Sequence, residues 1–456
     1  MISSQLQTLL DKPLCKNGTE GFLWLEEFYN TEKSSIYNQN VYRLDRMNLL
    51  LNHFDNPHQK IPAIHIAGSK GKGSTAAYCS SILNSYSLKV GLYTSPHIYS
   101  YKERITSNGE FFSDSIYTEC INKIQKGLPQ FLKHNLDKIT LPPTLFELLT
   151  LLAFLVFVKA SCDVLVIEVG LGGRLDATNL INPILSIITQ IEKEHTAYLG
   201  KSLKKIATQK AGIIKEGRPF LLTKQKNVVA KTFIKTAKRL SAPIYKTDYQ
   251  LKKHSISLQT IESWKLPIPG EVQKINIKNA LAGATIFLPL LKQEIDIKKL
   301  KAAIESTKLR GRMEQISSSP NIWVDGAHTP LSFKNAVKTF NSLYHNGKNC
   351  LVFSALEDKD VKKMIRLALK GFDTICFSSI DSFRKQDPKK LFEIANKIKK
   401  RALLFYPDFF KTKIFYYNSS SEALKSATNM GENILVSGSF YLVSQILNEL
   451  EPAVKE

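Results

Sequence analysis

The segment 61–75 contains residue types and a spacing that can bind the phosphates of a nucleotide. An apolar run, 61–67, leads directly into Gly-Ser-Lys-Gly-Lys-Gly-Ser-Thr. Glycines in such a loop let backbone N–H groups converge on one anion, a lysine adds a cation, and a hydroxyl suits Mg²⁺. The loop is shorter than the usual G-x-x-x-x-G-K-[ST] pattern and has a glycine between its second lysine and its serine. We predict a nucleoside triphosphate site formed by Gly68, Gly71, Lys72, Gly73, Ser74 and Thr75.

Three ionisable residues downstream of this loop are the next candidates for chemistry. Glu168 ends the apolar run 163–168 and is followed by a glycine-rich turn. A carboxylate there is costly when buried alone but useful beside a divalent cation, so we interpret it as a Mg²⁺ ligand; the alternative is a surface acid. His195 follows the next predicted strand, although a lone histidine is more often structural than a metal ligand. Lys210, taken alone, has the pattern of a solvated helix lysine.

Alternating strands and helices position these candidates. Strands rich in Val and Ile that alternate with helices are typical of a mostly parallel sheet covered on both faces, and ligands gather at the carboxyl ends of such strands. The first part of the chain predicts strands at 61–67, 89–93, 163–168 and 184–189, and helices at 74–85, 113–126, 144–159 and 203–211. A second series of strands is predicted at 321–325, 350–354, 374–378 and 433–437.

These two series, together with the length, predict two α/β domains. A chain of 456 residues is too long for one comfortable core. We predict a P-loop ATPase domain with a mostly parallel sheet over 1–297, and a smaller Rossmann-like α/β domain over 298–456.

Composition narrows the classes of partner. The formal net charge is +23, but the lysines are scattered and no aromatic-basic stripe accompanies them, so we predict no specific nucleic-acid partner. The positive electrostatic field of the protein would instead favour an anionic substrate. The six cysteines form no C-x-x-C unit, the amino terminus lacks a signal-peptide pattern, and the densest apolar run, 148–158, is shorter than the roughly 20 residues of a membrane helix. We therefore predict a cytoplasmic protein with no membrane partner.

An ordered set of motifs gives a more specific interpretation. Over about 42–447, the set resembles the folylpolyglutamate synthase family, which includes the bifunctional dihydrofolate synthases and belongs to the Mur ligase superfamily. The motifs are Gly68-Ser-Lys-Gly-Lys-Gly-Ser74, Thr94-Ser-Pro-His97 with Glu103-Arg-Ile105, Glu168-Val-Gly-Leu-Gly-Gly-Arg-Leu-Asp-Ala-Thr-Asn179, His195-Thr-Ala-Tyr-Leu-Gly200, Lys210-Ala-Gly-Ile-Ile-Lys215, Gly311-Arg-Met-Glu314, Asp325-Gly-Ala-His328 and Ser437-Gly-Ser-Phe-Tyr441.

This resemblance implies an ATP-dependent amide ligase. A substrate carboxylate would take the γ-phosphoryl group of ATP, and the amino group of L-glutamate would attack the resulting acyl phosphate. Phosphoryl transfer between anions depends mainly on charge neutralisation. The implied cofactors are ATP, Mg²⁺ at two sites, a carbamylated Lys210 and K⁺, and the implied partners are a folate or dihydropteroate and L-glutamate. Carbamylation would turn a lysine cation into an anionic oxygen ligand, which a hard metal prefers.

The resemblance also implies roles for individual residues. Lys72 and the loop amides would hold phosphates, Ser74 and Glu168 would bind one Mg²⁺, and His195 with carbamylated Lys210 would assist a second metal. The expected catalytic residues are Lys72, Glu168, His195 and Lys210. The further expected contacts to ATP are Asn279, Arg312 and Asp325. The expected substrate-binding residues are Ser95, Pro96, His97, Arg104, His328 and Ser437.

Four positions depart from the family pattern, and several alternatives stay open. The family usually has Thr-Asn instead of Ser69-Lys70, Asp instead of Glu194, and Asn instead of Thr329. These departures put rates and substrate choice in question more than the type of reaction. A Mur ligase that acts on a cell-wall nucleotide precursor would need a larger amino-terminal domain than the segment before residue 61 provides. The other rivals are a nucleotide-dependent nucleic-acid-binding protein and a noncatalytic homologue. A monomer is expected, and no residue signature decides whether dihydropteroate is also a substrate.

Overall fold

Two separate sheets organise the chain in the computed structural model, which describes residues 4–30, 43–135, 137–345, 347–382, 385–403 and 411–450. The first unit comprises Met1–Pro267 and Lys274–Lys308, and the second comprises Ile268–Gln273 and Leu309–Glu456. Both units alternate strands with helices, so the predicted α/β class is confirmed. Among the residues with described positions, no helix is both long enough and apolar enough to cross a membrane.

The first unit is built on an eight-stranded sheet in the described residues. Its strands are β1 (Ala63–Ala67), β2 (Val90–Tyr93), β3 (Ile105–Ser107), β4 (Glu110–Phe111), β5 (Val164–Glu168), β6 (Leu185–Ile188), β7 (Phe220–Leu222) and β8 (Ile244–Lys246). Their order across the sheet is β4-β3-β2-β5-β1-β6-β7-β8. The strands β2, β5, β1, β6, β7 and β8 are parallel, and β3 and β4 form an antiparallel edge.

Helices and apolar clusters cover this sheet. The helices are α1 (Ser4–Leu10), α2 (Gly18–Glu26), α3 (Leu44–His53), α4 (Lys72–Asn84), α5 (Asp114–Asn135), α6 (Leu145–Lys159), α7 (Thr196–Leu199), α8 (Leu203–Lys210), α9 (Asn227–Arg239), α10 (Thr247–Lys253), α11 (Leu258–Glu262), α12 (Glu271–Leu290) and α13 (Ile297–Ser306). One core cluster includes residues of α2, α3, α5 and α6, and another includes residues of α8 and α9.

The registers of the central strands bring their carboxyl ends to one edge. Every residue of β1 and β5 is buried, as expected for strands between two helical layers. Ile66 of β1 lies opposite Glu168 of β5, and Ala67 lies opposite Ile188 of β6. The phosphate-binding loop and the segments after β5 and β6 therefore leave the sheet side by side.

The second unit contains a six-stranded sheet in the described residues. Its strands are β9 (Glu314–Ser318), β10 (Asn321–Asp325), β11 (Asn349–Phe353), β12 (Thr374–Ser378), β13 (Lys413–Tyr417) and β14 (Asn433–Ser437). The order is β13-β12-β11-β14-β10-β9, and only β9 pairs in the antiparallel direction. The helices are α14 (Pro330–Leu343), α15 (Val361–Gly371), α16 (Pro388–Leu403), α17 (Ser420–Met430) and α18 (Phe440–Leu450).

Two helix predictions need correction. The helix after the phosphate-binding loop begins at Lys72 and not at Ser74, because Gly71 already serves as its N-cap. Helix α5 does not stop at 126 but continues to Asn135, with Pro129 inside it. The reason is that the apolar stripe continues: Leu128, Phe131 and Leu132 are all buried in the core.

Helix α13 determines where the first unit ends. It packs against α4, and the hydroxyl of Ser81 donates to the carbonyl oxygen of Ala303 at 2.9 Å. The cation of Lys299 also lies over the ring of Tyr86, at 4.9 Å from its centroid. The first unit consequently continues to Lys308, whereas the sequence predicted a boundary between 297 and 298.

A buried ion pair joins α3 to α6. The Arg46 guanidinium contacts both carboxylate oxygens of Glu147, with a shortest distance of 2.8 Å, and both side chains are almost fully buried. Glu147 also accepts from the backbone N–H and the hydroxyl of Thr144, which caps α6. Both oxygens of the Glu147 carboxylate thus accept hydrogen bonds from groups of the first unit.

We expect Arg46→Met to lower the free energy of unfolding by about 3–5 kcal/mol, because it leaves the Glu147 carboxylate buried without its cation. Equilibrium urea denaturation of the intact chain measures this loss. The matched control is Lys159→Met, which removes the cation of an exposed pair with Glu119 and should leave stability nearly unchanged. Equal losses in the two variants would contradict the expectation.

Candidate active site

Two glycines of the phosphate-binding loop are required by its geometry. Gly71 has φ 81°, and a Cβ atom there would lie 2.1 Å from Asn276 Oδ1. Gly68 has φ 153°, and its Cβ would lie 1.8 Å from Thr189 Oγ1. Only glycine avoids both the strain and the clash. Because Gly71 is also the N-cap of α4, no side chain caps the helix, and the N–H groups of its first turn suit an anion.

The segment that follows β6 holds the loop in place. The backbone N–H groups of Ser69 and Lys70 donate to the carbonyl oxygen of Gln190, at 2.9 and 3.2 Å. The Ser69 hydroxyl donates to the carbonyl oxygen of Glu192 at 3.1 Å. The conformation of the loop is therefore set by residues on the neighbouring strand connection as well as by its own glycines.

Glu168 lies where the loop meets a second segment. Its side chain is buried, and its Oε1 is 4.0 Å from Lys72 Nζ. Its Oε2 accepts a hydrogen bond from the backbone N–H of Ser95 at 3.0 Å. A Cβ atom on Gly73 would lie only 3.2 Å from the same oxygen, so the carboxylate rests against the start of α4. The alternative of an exposed strand-end acid is wrong.

Lys210 is not the solvated helix lysine that its local sequence suggests. Its side chain is 2% exposed, its ammonium donates to the carbonyl oxygen of Gly68 at 2.6 Å, and it lies 3.1 Å from Glu194 Oε1. Burial, together with the cation of Lys72, lowers the pKa of Lys210 to about 8, although Glu194 opposes the shift. The signal was present in the sequence, because Ile206, Ala207 and Lys210 share one buried stripe of α8.

Glu194 places one carboxylate between two lysines. Its Oε1 faces Lys210, and its Oε2 is 3.9 Å from Lys70 Nζ. Burial opposes ionisation, but the cations of Lys210, Lys72 and Lys70 outweigh it and lower the pKa of Glu194. The next residue, His195, is exposed, has φ 44° and precedes α7. The two departures Lys70 and Glu194 are therefore neighbours in space.

Sequence reasoning missed two residues that shape the turn after Glu168. Asp176 Oδ2 accepts from the Leu171 N–H at 2.8 Å, and its Oδ1 accepts from the N–H and hydroxyl of Thr178. Asn179 Nδ2 donates to the carbonyl oxygens of Arg174 and Gly212, each at 3.1 Å. Burial raises the pKa of Asp176, although the Thr178 and Leu171 donors partly compensate. The Asp-x-Thr-Asn motif could have indicated these contacts, since such side chains commonly form hydrogen bonds to nearby backbone groups.

The predicted substrate-binding residues of the first unit share one segment, 94–104. Arg104 is buried, and its Nε donates to His97 Nδ1 at 2.8 Å. The ring of His97 packs on that of Tyr101, with centroids 4.2 Å apart, and the Arg104 guanidinium lies over the same tyrosine at 5.4 Å. Near the start of the segment, the backbone N–H of Ser95 donates to Glu168, as described above. Arg104 thus contacts His97 directly, a partner that the sequence did not indicate.

Buried polar atoms without partners provide a test of the predicted nucleotide. Asn279 is buried in α12, and its Oδ1 accepts from the Thr247 hydroxyl at 3.2 Å. Its Nδ2, like the hydroxyl of Thr75 in α4, has no hydrogen-bond partner among the described residues. Such orphaned groups are costly unless an additional acceptor or donor satisfies them. The residues are therefore compatible with a bound nucleotide.

The second unit groups four predicted residues at the carboxyl edge of its sheet. Asp325 and Ser437 are register partners on β10 and β14. Asp325 accepts from the N–H groups of Met313 and Ala327; burial raises its pKa, and Arg312 opposes this. Phe440 packs with Arg312 at 4.5 Å and with the ring of His328 at 5.7 Å. The hydroxyl of Ser437 is fully buried and has no hydrogen-bond partner among the described residues.

The donor set fits Mg²⁺ bound together with phosphates rather than a cage of protein ligands. Among the described residues, no group of three or more His, Cys, Asp and Glu side chains could hold a metal ion. Mg²⁺ usually takes one or two protein oxygens and completes its shell with water and substrate phosphates. The Glu168 carboxylate beside the first turn of α4, which contains Ser74, matches that requirement.

Comparisons with known proteins show which proteins this chain is similar to. Residues 66–287 match the family model described as Mur ligase middle domain, and 311–440 match the one described as Mur ligase, glutamate ligase domain. The dihydrofolate synthase/folylpolyglutamate synthase of Bacillus subtilis is 30% identical over 90% of this chain and 95% of its own. The dihydrofolate synthetase of Saccharomyces cerevisiae is 31% identical over 89% of this chain and 96% of its own. Among solved structures, Mycobacterium tuberculosis folylpolyglutamate synthase complexed with ADP has a TM-score of 0.79 and 25% identity, covering 95% of this chain and 99% of its own.

We expect Gly71→Ala to weaken Mg-ATP binding by at least about tenfold, because the added Cβ meets Asn276 and displaces the loop as well as straining the backbone. Isothermal titration with Mg-ATP measures the loss. Gly109→Ala is the matched control: Gly109 has φ 89°, but nothing lies within 4 Å of its added Cβ. The two variants share the backbone strain, so equal affinities would contradict the role of the close approach.

Proposed function

This chain belongs to the folylpolyglutamate synthase and dihydrofolate synthase family of the Mur ligase superfamily, and from that premise we propose how its residues join L-glutamate to a folate. Its relatives are named for these two activities, and both of its family models describe Mur ligase domains. The chain is accordingly an ATP-dependent ligase. Its substrate carboxylate would be activated as an acyl phosphate before the amino group of glutamate attacks.

The observation that carries this proposal is the position of the Glu168 carboxylate. One oxygen faces Lys72 of the phosphate-binding loop, and the other accepts from the amide of Ser95 in the predicted substrate segment. A carboxylate shared in this way joins the part of the unit suited to ATP phosphates with the part expected to hold the folate. Transfer between two anions needs the reacting oxygen and the γ-phosphorus in line and close together.

The chain's own groups would neutralise charge during the first step. The loop N–H groups and Lys72 would hold the β- and γ-phosphates, and Lys72 would then leave Glu168 for the phosphates. When bound, Mg²⁺ would add positive charge at the same phosphates. An oxygen of the folate carboxylate would form the new bond to phosphorus while the bond to ADP breaks. In the second step, the glutamate nitrogen would bond to the acyl carbon, inorganic phosphate would leave, and the nitrogen would lose a proton.

We propose that Lys210 acts in its carbamylated form. Carbamylation requires the neutral amine, and the lowered pKa of Lys210 makes this form accessible near pH 8. The carbamate would provide an anionic oxygen ligand beside the loop carbonyl that the amine now contacts. His195, the second metal and K⁺ stay predictions.

Contacts to glutamate are proposed for the second unit and for Arg104. His328 and Ser437, together with Arg312 and Asp325, supply an imidazole, a hydroxyl, a guanidinium cation and a carboxylate at one sheet edge. The hydroxyl has no hydrogen-bond partner among the described residues. A guanidinium suits the carboxylates of glutamate, which supports the prediction for Arg104. The contacts to ATP expected for Asn279 in the first unit, and for Arg312 and Asp325 in the second, stay predictions.

Several finer points stay predictions. Relatives of this chain are named for dihydrofolate synthesis, for folylpolyglutamate synthesis and for both, so activity towards dihydropteroate is a separate proposal. These names favour the folate branch over a cell-wall precursor. A monomeric state, a cytoplasmic location and the lack of specific nucleic-acid binding also stay predictions.

We expect the purified protein to release phosphate from ATP and Mg²⁺ only when glutamate and a pterin substrate are both present. Parallel reactions with tetrahydrofolate, dihydropteroate and no pterin, analysed by mass spectrometry, identify the product. Addition to tetrahydrofolate alone would indicate a polyglutamate synthase, and addition to both a bifunctional enzyme. Addition to neither, with Mg-ATP still bound, would contradict the proposed function, and tight salt-sensitive binding to DNA or RNA would then favour the nucleic-acid alternative.

We expect Lys210→Ala to lose at least about a hundredfold in kcat, since both the loop contact and the carbamate are removed. In wild-type protein supplied with ¹³C-bicarbonate, a carbamate NMR signal should rise between about pH 7 and 9, because the neutral amine increases through its pKa. Lys204→Ala, at an exposed position of the same helix, should keep both activity and signal. Full activity in Lys210→Ala, or a signal that survives in it, would contradict this role.

A further inference from the structure

The carboxylate of Glu103 is surrounded by backbone amides that precede it. Its Oε2 accepts from the Ile98 N–H at 2.8 Å, and its Oε1 accepts from the Tyr99 and Ser100 N–H groups at 2.8 and 2.7 Å. Glu103 lies in the short 3₁₀ helix Tyr101–Arg104, whose N-cap is Ser100. Three consecutive amides thus point at one side chain.

Two of these hydrogen bonds are not needed to cap the amino terminus of the helix. A capping box uses the acidic side chain to bind only the N–H of the N-cap residue, which is Ser100. The amides of Ile98 and Tyr99 lie before the N-cap, so their hydrogen bonds fix the conformation of the preceding loop instead. Hydrogen bonds to an ionised acceptor are stronger than neutral ones, which makes a carboxylate an effective clamp for such a loop.

The clamped loop contains the predicted substrate-binding residues of the first unit. At its start, the Ser95 amide is fixed by Glu168, and the Thr94 amide donates to the carbonyl oxygen of Arg104 at 3.0 Å. At its end, the amides before Ser100 are fixed by Glu103. His97 lies between these two anchors, and its ring is oriented by Arg104 and Tyr101.

We propose that Glu103 is a positioning residue for the folate substrate: it holds residues 98–100 so that Ser95, Pro96 and His97 keep the conformation that binds the pterin-bearing substrate. This inference rests on the proposed function. The carboxylate of Glu103 contacts the backbone of the loop, so we expect it to act through the loop and not on ATP or the reacting atoms. Without its carboxylate, the three amides lose their acceptor and the loop adopts other conformations, which weakens substrate binding more than the chemical step.

The test compares Glu103→Gln with Glu110→Gln. Glutamine keeps one oxygen acceptor but presents an amide N–H to a backbone N–H, so it cannot satisfy all three donors. Glu110 lies in the neighbouring strand β4 and is exposed, so it undergoes the same chemical change without a clamp. A third variant, Glu103→Asp, keeps the charge on a shorter side chain and should recover part of the loss.

Hydrogen exchange measures the clamp directly. In the intact protein, the amides of residues 98–100 should exchange at least about tenfold faster in Glu103→Gln than in Glu110→Gln, because each has lost a charge-assisted acceptor. The thermal midpoints of the two variants should agree. Equal exchange rates in the two variants would overturn the proposal.

Steady-state kinetics measure the consequence for the substrate. In Glu103→Gln, KM for tetrahydrofolate should rise about tenfold while kcat and KM for ATP stay within about twofold. Equal rises in both KM values, with a lower thermal midpoint, would indicate a merely structural role and overturn the proposal. If the wild-type protein fails to turn over folate, the proposed function is wrong, and the exchange rates by themselves decide whether Glu103 holds the loop.

Discussion

The first unit depends on one constraint: the Glu168 carboxylate must be buried at the end of β5 without being left unsatisfied. A lone buried carboxylate is costly, so its two oxygens need donors or cations. The Ser95 amide and Lys72 supply them, and the absence of a Cβ on Gly73 leaves the space that the carboxylate fills. The loop after β1, the strand β5 and the segment after β2 are therefore fixed relative to one another through a single side chain.

Charge balance extends this constraint along the same edge of the sheet. Lys72, Lys70 and Lys210 bring three cations near the carboxylates of Glu168 and Glu194. Buried ion pairs stabilise a fold weakly at best, but removing one partner is costly. The Glu194 side chain extends towards two lysines, with one oxygen facing Lys70 and the other facing Lys210. The unusual Lys70 and the unusual Glu194 are consequently best understood as a pair, which the sequence presents only as two separate departures.

Local patterns predicted the strands better than the helix ends or the side-chain contacts. Strands 321–325, 374–378 and 433–437 lie where predicted, because short apolar runs that are bounded by polar residues and contain β-branched or aromatic residues favour a buried strand. The end of α5 was missed because Gly127 and Pro129 resemble a stop, while packing of the later apolar residues keeps the helix going. The burial of Lys210 and the amides held by Glu103 depend on chain segments distant in sequence or on backbone direction. No spacing rule reports these, whereas the ordered motifs indicated the family directly.

The packing of α13 on α4 bears on how fragments of this protein can be made. The first turn of α4 is the one suited to phosphate, and α13 packs on the later part of the same helix through the hydrogen bond between Ser81 and Ala303. A truncated fragment that ends at 297 would therefore lack nearly all of α13 and leave exposed the part of α4 that this helix covers. A fragment that continues to Lys308 keeps the cover. The residues of α13, which lie between the two sheets in sequence, thus pack on α4 and are not a spacer that could have any composition.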